Sequence, residues 1–234
     1  MEDFKLASRW LAALLLAQML IGPVANFALL DDATQAAGGF LVNAASHASS
    51  LATAALLSIA LAVLSAGIAI ALWPVLRGRS ERMALALAML GAAGIALSGL
   101  ENTGLLSMLS LSQAYAAAGA SDGVLFEALR DVVRAQRNWS HLIDLLAGGG
   151  MLLLMYAALF RFTLVPRWLA GFGVLAAALQ MIAVAKPLYG GWVFFPLVLP
   201  LGIANLLLVG WLLWKPGFGT AATAADRASG RSAA

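Results

Sequence analysis

Apolar residues in this chain do not alternate and do not recur as a narrow stripe. They fill long runs broken by short polar segments. A helix needs roughly 20 mostly apolar residues to cross the hydrocarbon core of a bilayer. The first run, about Ala7 to Leu30, meets that requirement, with Pro23 expected to kink it. It is longer than the h-region of a signal peptide and no small-x-small cleavage site follows it, so a retained span is expected. After the polar stretch from Asp31 to Gln35, the run from Phe40 to Leu76 is too long for one crossing. Its last ~22 residues suffice to span, so its start, with Asn43 and His47, is assigned to the interface. Further spans are expected from Met83 to about Met108 (with helix continuing toward Tyr115), Asn138 to Phe160, Trp168 to Ala185 and Trp192 to Trp214. Pro166 is expected to start the fifth span, and Pro196 and Pro200 to bend the outer half of the sixth.

One segment has a different period. From an expected N-cap at Asp122, residues Val124, Leu125, Ala128, Leu129, Val132 and Val133 fall on one side of a helix, and Glu127, Arg130, Asp131 and Arg134 on the other. This predicts a short amphipathic helix lying in the membrane interface. The fold expected is therefore an all-α polytopic bundle of six transmembrane helices plus one interfacial helix. Residues 1–218 are read as one domain, and residues 219–234, rich in Ala, Ser and Thr, as a disordered cytoplasmic tail.

Composition strengthens this picture. Of 234 residues, 62% are hydrophobic and 11% charged, and mean hydropathy is +0.92. An ordinary soluble domain is about one quarter charged, so part of this chain's solvent must be lipid. The 14 basic residues outnumber the 11 acidic ones, but with no soluble domain left over a nucleic-acid partner is not expected. The lipid bilayer is the expected partner, with a small-molecule or lipid ligand beside it. Basic residues also set orientation. With the N-terminus inside, Lys5, Arg9, Arg77, Arg79, Arg82, Arg161, Arg167, Lys215, Arg227 and Arg231 all lie on inner segments, leaving Arg130, Arg134, Arg137 and Lys186 outside. Both termini are expected in the cytoplasm.

The absence of cysteine excludes disulfides, thiolate metal sites and cysteine nucleophiles. Ionisable residues within spans are costly and mark candidate sites. Span three carries Gly91, Gly94, Ser98, Glu101 and Asn102 on one small-residue face. Span four opens with His141 and Asp144, and Gly148 follows on the same face. Asn43 and His47 share a face at the start of span two, and Lys186 ends span five. Glu101, His141 and Lys186 come out at similar depth, so an outer polar ligand pocket of Asn43, His47, Glu101, Asn102, His141, Asp144 and Lys186 is geometrically available. Structural readings stand beside this: charged groups at a membrane boundary are solvated by water and headgroups, and Asn43, Gln180 and Asn205 suit interhelical hydrogen bonding.

Two chemical alternatives follow from residue types. His47, Glu101, His141 and Asp144 suit a divalent metal such as zinc, which would make a membrane-embedded hydrolase or transferase. His47 and His141 are the only histidines and could instead clamp a haem in a redox protein. No phosphate-binding or nucleophile-elbow motif is present, and Gly148-Gly149-Gly150 in an apolar run predicts close helix packing. Met151, Met155 and Met181 read as core or lipid-facing filler.

The hairpin ALFRFTLVPRWLAGFGVLAAAL (residues 158–179) and the end WLLWKPGF (residues 211–218) carry a resemblance to an uncharacterised family of bacterial multi-pass inner-membrane proteins, a domain of unknown function. The basic turn with Val-Pro-Arg-Trp-Leu-Ala-Gly and the closing aromatic-Leu-Leu-Lys-Gly-Phe pattern match the family, here with Pro216 inserted. Glu101 and His141 sit where the family's polar residues are expected. The resemblance covers most of residues 7–218. Span one departs from it, with Ser8-Arg9-Trp10 in place of an opening Arg-x-Ala-Gly-x-x-Tyr. It implies a fold and an inner-membrane location, and no reaction.

Overall fold

The computed structural model describes residues 2–119, 123–215 and 217–218. The expected Asp122 cap and the tail 219–234 lie outside them. Every long element is a helix: α1 (Glu2–Pro23), α4 (Ala48–Arg77), α5 (Glu81–Ala117), α6 (Gly123–Arg161), α7 (Arg167–Ala185) and α8 (Leu199–Trp214), with the short helices α2 (Asp31–Thr34) and α3 (Gly39–Asn43) after the first. Six helical stretches are long and apolar enough to cross a membrane. In lipid a backbone must satisfy its own polar groups, and a helix does so within one segment. Large apolar side chains such as Leu20, Phe27, Ile70 and Met89 are exposed, as they are when the surrounding solvent is hydrocarbon.

Connections follow local chemistry. The turn after α4 ends at Ser80, whose hydroxyl accepts from the Met83 amide at 3.4 Å and caps α5, with Glu81 in the favourable first turn. Pro166 precedes α7, where its carbonyl oxygen accepts from Leu169 and Ala170. Pro23 does not simply bend the first helix. It ends the α-helical stretch, and a π-helical turn, Val24–Ala28, follows. Asn26 Nδ2 donates to the Gly22 carbonyl oxygen at 3.0 Å.

Two sequence expectations are corrected here. The amphipathic segment and span four are not separate elements but one continuous 39-residue helix, α6, because nothing between Val124 and Phe160 breaks helical hydrogen bonding. Pro196 and Pro200 do not bend a helix interior. Pro196 sits in the 3-10 turn Phe195–Leu197, and Pro200 is the second residue of α8. A residue without an amide hydrogen is tolerated in a first turn and disruptive further in.

The described residues fall into two compact units, one from residues 2–16, 66–91 and 146–218, the other from residues 17–65 and 92–145. In the first, the core gathers Leu11, Leu15, Leu72, Leu76, Met155, Tyr156, Leu159, Leu169 and Leu208. Small residues allow close approach: a Cβ on Gly91 would stand 3.0 Å from Ala66 Cα. Tyr156, fully buried, donates its hydroxyl proton to Asn205 Oδ1 at 2.7 Å. Gly149, in the glycine run, packs against Met181, and Met151 and Met155 are core residues.

The second unit has a smaller core, with Phe40, Leu51, Ala54, Leu105 and Met108. The break between α3 and α4 is fastened by α5. Ser112 Oγ donates to the Leu41 carbonyl oxygen and accepts from the Ala45 amide, each at 2.9 Å. Gln18 Nε2 donates to Ser65 Oγ at 2.6 Å, and Ser98 Oγ to the Ser58 carbonyl oxygen at 3.3 Å.

A methyl group at position 173 would overlap the Tyr156 ring. Gly173→Ala is therefore expected to cost about 1–3 kcal/mol of stability by overpacking, whereas Gly202→Ala, with open space around it, should be near neutral. Unfolding midpoints of the detergent-solubilised variants test this, and equal midpoints would reject the packing argument.

Candidate functional site

The polar centre of the second unit is a carboxylate. Glu101 on α5 is 7% exposed, and a buried charge needs compensation where it stands. Two groups of α6 supply it at the same oxygen: Arg137 Nη2 donates to Glu101 Oε1 at 3.2 Å, and His141 Nδ1 lies 2.8 Å from it. Arg137 and His141 are four residues apart and so lie on one helix face. Gly104, three residues beyond Glu101, makes the reach short. A Cβ there would come within 3.2 Å of Arg137 Cα and Cβ, so the two helices approach closely one turn from the ion pair.

The remaining expected site residues divide. Asn102 is buried but turns to its own helix, donating to the Ser98 carbonyl oxygen at 2.8 Å. Asn43 Nδ2 donates to the Ala37 and Gly39 carbonyl oxygens at 2.9 Å, and His47 Nδ1 lies 2.9 Å from the Asn43 carbonyl oxygen and 3.1 Å from Ser46 Oγ. These two residues fasten the turn around α3. Asp144 is half-buried, one turn beyond His141, and makes no hydrogen bond or ion pair among the described residues. Lys186 belongs to the other unit, where its ammonium lies over the Phe194 ring at 5.6 Å.

The four-residue metal set is corrected accordingly. Among the described residues no three His, Asp or Glu side chains gather closely enough to hold a metal ion, because His47 serves its local turn while His141 serves Glu101. Of the residues expected to bridge helices, Asn205 does so, Asn43 bonds within its own segment, and Gln180 Oε1 is buried without a partner among the described residues.

Beside the ion pair, in the same unit, is a cavity of about 350 Å3. It is lined by Thr34, Gln35, Gly38, Gly39, the apolar Phe40 and Met108, and by Arg130, Arg134, Arg137 and Asn138 of α6. Gly38 and Gly39 both have positive φ, 89° and 65°, which a residue with a Cβ rarely adopts. The arginines were not singled out from sequence, where they read as the solvated side of an interfacial helix. The available signal was the spacing: 130, 134, 137, 141 and 144 advance by four and three, a single stripe once α6 is continuous.

Among the described residues, an all-helical architecture, six membrane-length apolar helices and a polar cluster built across two of them define a multi-pass membrane protein. Residues 11–216 match the domain of unknown function DUF4386, and the chain belongs to that family. No curated protein and no solved structure matches the chain.

Glu101→Ala should destabilise the protein by about 2–3 kcal/mol, since it leaves the Arg137 cation in a poorly solvated site. Removing both charges, in Glu101→Ala/Arg137→Met, should restore part of that loss. A double-mutant cycle on unfolding midpoints measures the coupling, and strictly additive effects would show that the pair does not organise this unit.

Proposed function

We propose that this protein binds a small or lipid-like ligand in the cavity of its second unit, as a membrane binding protein and not as a metal-dependent enzyme. The observation that carries this reading is the arginine wall beside a cavity of about 350 Å3, anchored at Arg137 by the buried Glu101. Ligand sites are concave, of roughly 300–1,000 Å3, and combine an apolar lining with a few fixed polar groups. Phe40 and Met108 against Arg130, Arg134, Arg137 and Asn138 have that composition. A bundle serving packing alone gains nothing from Arg137 Nε, buried and without a hydrogen-bond partner among the described residues.

The cavity can be closed without touching the core. Asn138 is an exposed residue on its wall, so Asn138→Phe should fill space while leaving the fold intact. Mass spectrometry of small molecules and lipids extracted from the purified full chain should find a near-stoichiometric species in the native protein and lose it in Asn138→Phe. Identical contents in the two proteins would remove the basis of this reading.

The proposal includes an orientation: residence in a bacterial inner membrane with both termini in the cytoplasm, supported by the basic residues at Arg77, Arg79, Arg82, Arg161 and Arg167 beside the two short turns. The cavity then opens on the far side. Since the chain has no cysteine, single introduced cysteines report accessibility directly. Gly78→Cys, at an exposed turn with open space around it, should resist a membrane-impermeant maleimide in intact cells and react after permeabilisation. Reaction in intact cells would invert the topology.

A further inference from the structure

Among the described residues, the charged side chains that line the cavity are all arginines: Arg130, Arg134 and Arg137. Arg130 pairs with its neighbour Asp131 at 3.1 Å, and Arg137 shares Glu101 with His141. Among the described residues, Arg134 has no hydrogen bond or ion pair and no carboxylate lines the cavity. Three guanidinium groups at spacings of four and three form one ridge along α6. The same lining includes Gln35, a neutral side chain able to donate hydrogen bonds, and the apolar Phe40 and Met108, while the Thr34 hydroxyl donates to the Leu30 carbonyl oxygen at 2.7 Å. Such a site disfavours cations and rewards an anion with several acceptor oxygens.

We propose that the cavity takes a phosphate-bearing anion, with Arg134 and Arg137 contacting the phosphoryl oxygens and Arg130 flanking them. This rests on reading the cavity as a ligand site. Arginine rather than lysine at all three positions favours planar, two-pronged recognition of an oxyanion. A carboxylate offers one such edge, whereas a phosphoryl group presents three oxygens and up to two charges, a better match to a ridge of three. Depth agrees with this chemistry. Counting back from Arg161, the inner end of α6, a hydrocarbon core is crossed in about 20 residues, which reaches His141. Arg137 then follows about one turn further, at headgroup level, with Arg134 and Arg130 beyond it toward water. A lipid phosphate and a dissolved phosphate both meet this description.

The test is calorimetric titration of the purified full chain in an uncharged detergent with three probes: dihexanoyl phosphatidic acid, inorganic phosphate and uncharged dihexanoylglycerol. Saturable binding of phosphatidic acid, and none of dihexanoylglycerol, is expected. Arg134→Ala should weaken it about tenfold or more, as loss of one charge-assisted hydrogen bond does, with the unfolding midpoint unchanged. Arg134→Lys should lose less. Comparable binding of inorganic phosphate supports the phosphate chemistry with a soluble source, and binding of the lipid alone supports it with a headgroup source. Equal binding of dihexanoylglycerol, or an unaltered affinity in Arg134→Ala, overturns the proposal. If no phosphate probe binds while Asn138→Phe still expels a retained molecule, the anion chemistry fails and the cavity reading stands. If Asn138→Phe expels nothing, the cavity reading itself has failed.

Discussion

A carboxylate placed between helices has to be neutralised by groups its own neighbourhood can deliver, and the second unit is arranged around that demand. Glu101 offers one oxygen to both Arg137 and His141. The two donors reach it because Gly104 lets α5 and α6 close to backbone distance one turn away. With Arg137 drawn to the carboxylate, the face of α6 is fixed in rotation, and Arg134 and Arg130 are carried to the cavity wall on the same stripe. The anion-attracting surface is thus a by-product of where the buried charge is compensated.

The fold was legible because its signal is coarse. Runs of apolar residues measured against a bilayer's thickness need no tertiary information, and their charged ends locate the turns at 78–80 and 162–166. What escaped was local hydrogen bonding. A polar stretch before Trp139 suggested that an interfacial helix ends and a span begins, yet side-chain polarity does not interrupt a helix that lacks proline or an unfavourable glycine. Pro196 and Pro200 were misplaced for the converse reason: each prohibits an interior position, so the α8 helix starts where they permit it.

The site was legible in part. Glu101 and His141 stood out as ionisable residues inside apolar runs, and they do meet. His47 and Asn43 stood out for the same reason but serve the turn around α3, since a short helix leaves backbone groups that a nearby amide or imidazole satisfies. Depth along separate helices does not say which faces meet. The arginines were hidden by nearby acids: Glu127 and Asp131 beside Arg130 and Arg134 read as a balanced solvated face, although among the described residues only Arg130 takes an acidic partner from that segment.

The unbroken course of α6 bears on how this chain can vary. Each residue advances a helix by about 100°, so one residue inserted between Arg137 and His141 would swing the whole arginine ridge a quarter-turn or more out of phase with His141, which is held at Glu101 further along the same helix. Point changes leave that phase untouched, whereas a seven-residue insertion returns it to within about 20°. Length variation among chains built on this plan should therefore gather in the turns and spare α6, whose angular register is a heritable dimension of the site.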